Sequence, residues 1–134
     1  MAESRDESLR QDGPIAARLR EASAVMRDAG ALEKTDLARS AARYREAILL
    51  LLESSDDPLE SESVRRDLVR GFDRLSLVLK RAGLAEEALE EADCAASLCL
   101  LDESGGAARQ RAALVKRRDS LRRSLAATAS EASG

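Results

Sequence analysis

The sequence predicts an all-α fold of about five antiparallel helices, arranged as stacked helical hairpins. Apolar side chains recur every three or four residues along most of the chain, which is the spacing of one helix face. The segments 23–30 and 76–83 repeat the same pattern, an apolar and basic helix end that runs into a glycine. A repeated helix end indicates a repeated hairpin, and stacking such hairpins buries the apolar face that each leaves uncovered.

Composition predicts one soluble domain with a core of leucine, alanine, valine and isoleucine. It has 134 residues, of which 35% are charged and 1% aromatic, with a net charge of -3. A mixed-sign surface of this kind gives no strong signal for nucleic acid or an acidic membrane. We predict a flexible tail over residues 1–12, one helical-hairpin domain over 13–126, and a second flexible tail over 127–134.

The first half of the chain allows two positions for the hairpin turn. A helix is predicted over 14–29, since proline suits the first turn, and Gly30 can end it. A second helix is then expected over 32–53. Tyr44 also resembles the opening of a new helix, which would place the turn near Ala42 instead. Both positions stay open at this stage.

The second half has clearer boundaries. The polar segment 54–58 ends in a proline that helices do not easily cross. A third helix is predicted to begin between residues 59 and 62 and to end at Gly83. A fourth, over 85–100, follows at once, so these two helices must lie antiparallel and in contact. A loop at 102–106 and a last helix over 107–125 complete the predicted domain.

Residues 64–101 resemble a tetratricopeptide repeat, in which small and large apolar residues alternate at fixed places along a helix pair. The matching positions are Phe72, Leu75, Ser76 and Leu79 on one helix and Ala88, Ala92 and Ala95 on the other. Ser76 and Ala88 are small where the paired helices would cross closely. The resemblance implies a scaffold that binds a protein partner, although the proline that often closes the unit is missing near Leu100.

The layout of a long first hairpin, a standard second one and a final helix is similar to the repeat domains of co-chaperones attached to prolyl isomerases. In those domains a clamp of lysine, asparagine and arginine holds the terminal carboxylate of a chaperone tail. Here the asparagine positions read Asp36 and Arg74. Because Asp36 would repel a carboxylate, the resemblance does not extend to that clamp.

The residues needed for catalysis or metal binding are scarce. The chain contains no histidine, and it shows no glycine-rich phosphate loop between a strand and a helix. Cys94 and Cys99 fall on one predicted helix with a five-residue offset, which points them to different faces. We therefore predict no enzyme activity, no cofactor and no metal site, with both thiols reduced in a cytoplasmic protein. No apolar segment is long enough for a membrane span or a secretion signal.

Charge is distributed unevenly between the last two helices. Acidic residues gather at the start of the fourth helix, where they complement the helix dipole: Glu86, Glu87, Glu90, Glu91 and Asp93. Basic residues dominate the last helix: Arg109, Arg111, Lys116, Arg117, Arg118, Arg122 and Arg123. In one interpretation these basic side chains stay solvent-exposed, and some of them lie near the acidic fourth helix. In the other they bind carboxylates of a partner. RNA binding is disfavoured because the aromatic side chains that stack on bases are missing.

These patterns together predict a non-catalytic adaptor that binds a protein or peptide, with acidic segments favoured. The first helix of each hairpin and the basic last helix should line the binding surface. The expected contact residues are Arg70, Arg74, Lys80, Arg111 and Arg118. The alternative is a self-associating helical bundle, a homo-oligomer in which an exposed terminal stripe pairs with another copy. That stripe comprises Leu114, Leu121 and Leu125.

Overall fold

The computed structural model confirms the all-α fold. It describes the backbone of residues 2–99 and 107–133, and the side chains of residue 13, 15–99 and 108–128. The helices are α1 (Ala2–Leu32), α2 (Leu37–Leu52), α3 (Glu62–Arg81), α4 (Ala85–Cys99) and α5 (Ala107–Ser133), with a short 3-10 turn at Pro58–Glu60.

Consecutive helices pack against each other in chain order, α1 on α2, α2 on α3, α3 on α4 and α4 on α5. Hydrogen bonds fix the direction of the first pair. Arg18 of α1 donates to the Glu53 carbonyl beyond the end of α2, whereas Ser40 near the start of α2 donates to the Ala29 carbonyl. The two helices are therefore antiparallel, as predicted for a hairpin.

The first turn lies between the two predicted positions. Helix α1 continues through Gly30 to Leu32, and α2 begins at Leu37. Asp36 sets that start, because its Oδ1 accepts a hydrogen bond from the Arg39 backbone N–H at 3.1 Å. The turn at Gly30 and the alternative near Ala42 are both wrong.

The ends of the outer helices also differ from the predictions. Helix α1 begins at Ala2 and not at Pro14, while α5 continues past residue 125 to Ser133. Helical backbone thus runs through parts of both segments predicted to be flexible tails, 1–12 and 127–134. The predicted loop at 102–106 lies outside the described residues.

The second hairpin agrees closely with the sequence. Helix α3 starts at Glu62, within the predicted window, and Gly83 has a φ of 82°, the left-handed conformation that favours glycine. Because Gly83 reverses the chain within a few residues, α4 begins at Ala85 and packs on α3. The hairpin prediction is confirmed here.

Small residues lie at both helix crossings, and larger aliphatic residues fill the remaining core. Leu51, Leu68, Leu75 and Leu79 are among the largest fully buried side chains. Phe72 is only half-buried, and it packs against both apolar clusters of the core. The buried leucines, and not the ring, therefore supply most of the core volume.

Candidate functional site

A groove separates α1 from α3. Both helices pack on α2, which contributes Tyr44 and Leu51 to the lining of the groove. Its cavity volume is about 940 Å³. Residues from α1, α2, α3 and the first turn line it: Ala22, Ser23, Met26, Arg27, Gly30, Glu33, Tyr44, Leu51, Asp67, Arg70 and Arg74. The first helices of the two hairpins, α1 and α3, face this groove as predicted, but no described residue of the basic last helix lines it.

Close packing at Gly71 brings the three helices together below the groove. A Cβ atom on this buried residue of α3 would lie 3.1 Å from Ile48 Cγ1 on α2 and 3.4 Å from Met26 Cε on α1. These distances leave little room for any side chain. Glycine at position 71 therefore allows α3 to pack closely against α2 and against Met26 of α1. Elsewhere α1 and α3 stay apart, and the groove lies between them.

A buried carboxylate lies at one end of the groove. Glu33, in the first turn, is 8% exposed. Its Oε2 accepts a hydrogen bond from the Tyr44 hydroxyl at 2.5 Å, and its Oε1 accepts one from Arg74 Nη2 at 2.5 Å. Arg81 Nη1 lies 3.4 Å from the same Oε1. We call these residues the Glu33 cluster; it joins the first turn to α2 and α3.

The Glu33 cluster keeps its carboxylate charged. Burial raises the pKa of Glu33, but hydrogen bonds from Arg74 and Tyr44 and the two guanidinium charges outweigh it, so the pKa lies below its ordinary value of 4.5. Burial and the bond to Glu33 raise the pKa of Tyr44. The hydrogen bond to Glu33 raises the pKa of Arg74. At neutral pH the cluster holds one carboxylate, two guanidinium groups and a neutral phenol.

The structure brings only two of the predicted contact residues into the groove. Arg70 is exposed on its wall, and Arg74 lines it while bound to Glu33. Lys80 is exposed near the end of α3 outside the groove. Arg111 and Arg118 line two other cavities, one on α5 and one between α2 and α5. The positive charge of the groove is therefore smaller than the sequence indicated.

Part of the basic face of α5 serves internal packing. Arg117 donates to Asp73 of α3, and Arg122 Nη2 lies 3.0 Å from Asp93 Oδ1 of α4. Arg118 Nε lies 3.7 Å from the same Asp93 oxygen. These pairs agree with the interpretation that the last helix packs against acidic residues of its neighbours.

The terminal stripe proposed for self-association is largely buried within the chain. Leu114 and Leu121 are core residues, and only Leu125 of that set is partly exposed. Because Leu114 and Leu121 belong to the apolar clusters of the core, the prediction of an exposed stripe is wrong.

Sequence reasoning did not predict the polar groove residues Arg27, Glu33 and Tyr44, nor Arg81, which pairs with Glu33 outside the groove lining. Arg81 follows Arg74 by seven residues, so the helical repeat alone places both on one side of α3, whereas Lys80 lies farther round. No spacing in the sequence identifies Glu33, because its hydrogen-bond partners Tyr44 and Arg74 lie on α2 and α3, far along the chain.

The described residues offer no arrangement typical of a metal centre. Within them, no group of three or more His, Cys, Asp or Glu side chains could hold a metal ion. Cys94 is exposed and Cys99 is buried, and both are free thiols. Burial, followed by nearby carboxylates, raises the pKa of the Cys94 thiol, which disfavours the reactive thiolate.

No helix in the described part of the chain is long and apolar enough to cross a membrane. Comparisons with protein-family models, curated proteins and solved structures give no significant match to this chain. Its function is therefore inferred from the groove itself.

Proposed function

We propose that the protein is a non-catalytic interaction module, similar to tetratricopeptide repeats, that binds an acidic amphipathic peptide or helix in the α1–α3 groove. The observation that carries the proposal is the open concave surface between the first helices of two stacked hairpins. In stacked hairpins of this kind the first helices line the binding side.

The shape and floor of the groove support a peptide as ligand. Its volume of about 940 Å³ lies at the upper end of the range for small-molecule sites. Leu51 and Ala22 supply an apolar floor, and Met26 adds a flexible side chain that can adapt to different partners. An amphipathic segment would cover this floor with its apolar face.

The charges at the rim favour carboxylates on that segment. Arg27 on α1 and Arg70 on α3 are exposed and lie on different walls of the groove. Arg74 and Glu33 neutralise each other, which leaves Asp67 as the remaining acid of the lining. Exposed rim charges steer and orient a partner, while the apolar floor supplies most of the affinity.

A synthetic peptide tests the proposal. A fluorescent helix-forming peptide with leucines on one face and glutamates on the other should bind, and binding should weaken with salt. Arg70→Glu should reduce the affinity by about tenfold, because it reverses one rim charge. Fluorescence anisotropy at low salt measures the dissociation constant.

Lys80→Glu is the matched control, since it makes the same charge change on the same helix outside the groove. A peptide with lysines in place of the glutamates controls for apolar binding alone. Equal loss of affinity in Arg70→Glu and Lys80→Glu, or equal binding of both peptides, would contradict the proposed site.

A further inference from the structure

A second cavity lies on α5, and none of its lining residues belongs to the groove. Its volume is about 540 Å³, and its described lining comes from α5 alone: Ala108, Arg111, Ala112, Val115, Lys116, Asp119 and Arg123. The core residues of α5, Leu114 and Leu121, are not part of that lining. The helix therefore packs on the domain with one side and leaves another side open to solvent.

Four of the lining residues have the spacing of a helix-packing seam. Ala108, Ala112, Val115 and Asp119 occupy positions i, i+4, i+7 and i+11 of α5. This is the a and d repeat of a heptad, which keeps one narrow stripe turned toward a second helix. Since both alanines are small and exposed, the backbone of another helix can approach them closely. We call these four residues the α5 seam.

Three cations run along one edge of the α5 seam. Arg109, Lys116 and Arg123 are exposed and follow one another at seven-residue intervals. At the rise of an α-helix, successive members lie about 10 Å apart on one side of α5. Relative to the seam they take the e positions of the heptad, whose charges pair with those of the facing helix. We call these three residues the basic row.

Ion pairing separates the basic row from the other cations of α5. Three arginines on the packed side of the helix are paired with acids of α3, α4 or α5 itself: Arg117, Arg118 and Arg122. Among the residues that the structure describes, no acid lies within ion-pair distance of a member of the basic row. The one acid of the seam, Asp119, is paired with Arg118. The charge of the basic row is therefore not used within the described fold.

We propose that the α5 seam and the basic row together dock an acidic helix of a partner protein. The seam supplies close packing, and the basic row selects carboxylates that recur every seven residues on the partner. A second α5 does not fit, because its own cations would face the basic row. The seam also has none of the large apolar side chains with which a helix enters a membrane surface. The inference does not rest on the function proposed for the groove.

A synthetic helix tests the charge requirement on the full chain. The probe is a fluorescent peptide of about 21 residues, with one leucine in each heptad and a glutamate beside it at seven-residue intervals. It should bind the parent at low salt, and Lys116→Glu/Arg123→Glu should weaken binding by about tenfold or more. Arg20→Glu/Lys80→Glu makes the same two charge changes at exposed residues outside both cavities, and it should bind like the parent.

Two neighbouring alanines test the seam without changing the charge. Ala112 and Ala113 are both exposed on α5, but only Ala112 lines the cavity. Ala112→Gln puts a longer polar side chain where the partner helix packs and should weaken binding by about tenfold. Ala113→Gln should bind like the parent. Equal effects of the two substitutions would overturn the seam.

Charge exchange shows whether the basic row contacts the probe. A probe with lysines in place of the glutamates should bind Lys116→Glu/Arg123→Glu and not the parent, which also confirms that this variant folds. Arg70→Glu, which alters the groove, should leave binding of the acidic probe unchanged. This result separates a failure of the α5 site from a failure of the groove.

Three results would overturn the proposal. They are the absence of rescue in the charge exchange, loss of the acidic probe in Arg70→Glu, and tighter binding of a DNA duplex of about 20 base pairs than of the probe. The last of these would assign the basic row to phosphate contacts with nucleic acid.

Discussion

The hairpin α1–α2 and the hairpin α3–α4 cross in the same way but close in different ways. At each crossing a fully buried serine donates to a backbone carbonyl of the paired helix. Ser40 Oγ lies 2.7 Å from the Ala29 carbonyl oxygen, and Ser76 Oγ lies 2.9 Å from that of Ala88. Small residues and one hydrogen bond thus hold both pairs of helices close together.

The second hairpin closes through its own backbone. Gly83 adopts a positive φ, and its N–H donates to the Lys80 carbonyl at 3.1 Å. The Leu84 N–H donates to the Leu79 carbonyl at 2.9 Å, which completes a Schellman motif. This turn needs no side chain from another hairpin.

The first hairpin closes through side chains. Asp36 caps α2, and Glu33 binds Tyr44 of α2 and Arg74 of α3. The Glu33 carboxylate therefore joins the first turn to the second hairpin, at the end of the groove. A local backbone motif closes the second turn, whereas the first turn combines local backbone hydrogen bonds and the Asp36 cap with the long-range pairing of Glu33.

The shared crossing gives the largest expected effect. Ser40→Val and Ser76→Val each add volume at a close helix contact and remove a buried hydrogen bond between the paired helices. Each should lower the free energy of unfolding by about 3 kcal/mol. Urea denaturation, monitored by circular dichroism, measures the stability of both variants. Ser23→Val, at an exposed position of α1, is the control. A large loss in one variant beside none in the other would show that the two crossings are not equivalent.

Alanine substitution of the two glycines that end the repeated segments should change the free energy of unfolding in opposite directions. Gly83→Ala forces a β-carbon into the left-handed region and should cost about 1 kcal/mol. Gly30 lies within α1, where an added Cβ meets Tyr44 Oη at an ordinary 3.6 Å. Gly30→Ala should therefore stabilise the protein by about 0.5 kcal/mol, as alanine favours the helix.

Thermal denaturation of the two glycine variants and the parent checks this contrast. Equal destabilisation by both substitutions would restore the interpretation in which Gly30 is also a turn residue.

Local patterns in the sequence predicted the second hairpin well. The helix end at Gly83, the start of α3 and the small crossing residues Ser76 and Ala88 all depend on neighbours along the chain or on helical spacing. The same reasoning failed at Gly30, because glycine also fits inside a helix and the real turn is set by the Asp36 cap.

Hairpin stacking predicted that α1 and α3 would face one groove, but it predicted neither the absence of α5 from the described lining nor the charge of the groove. Helical spacing placed Arg70 and Arg74 together on α3, yet it could not show that Glu33 binds Arg74, since these residues are far apart in the chain. The basic composition of the last helix assigned Arg118 to the same surface, whereas Arg118 pairs with Asp93 and Asp119 and lines a different cavity. Partners from different helices must be known before a surface charge can be assigned.

The Glu33–Arg74 pair connects the two hairpins. Because the pKa of Glu33 lies below its ordinary value in the folded chain, its stabilising contribution is complete above about pH 4.5 and is lost as the pH falls through the folded value. The exposed pair Arg45–Glu87, which joins α2 to α4, provides a matched comparison.

A double-mutant cycle with Glu33→Gln and Arg74→Gln, measured by urea denaturation, tests this claim most directly. We expect a coupling energy of about 1 to 2 kcal/mol at pH 7, which falls toward zero as Glu33 is protonated. Arg45→Gln and Glu87→Gln should couple by less than about 0.5 kcal/mol. Additive effects of Glu33→Gln and Arg74→Gln at pH 7, or a coupling no larger than that of the exposed pair, would contradict the claim.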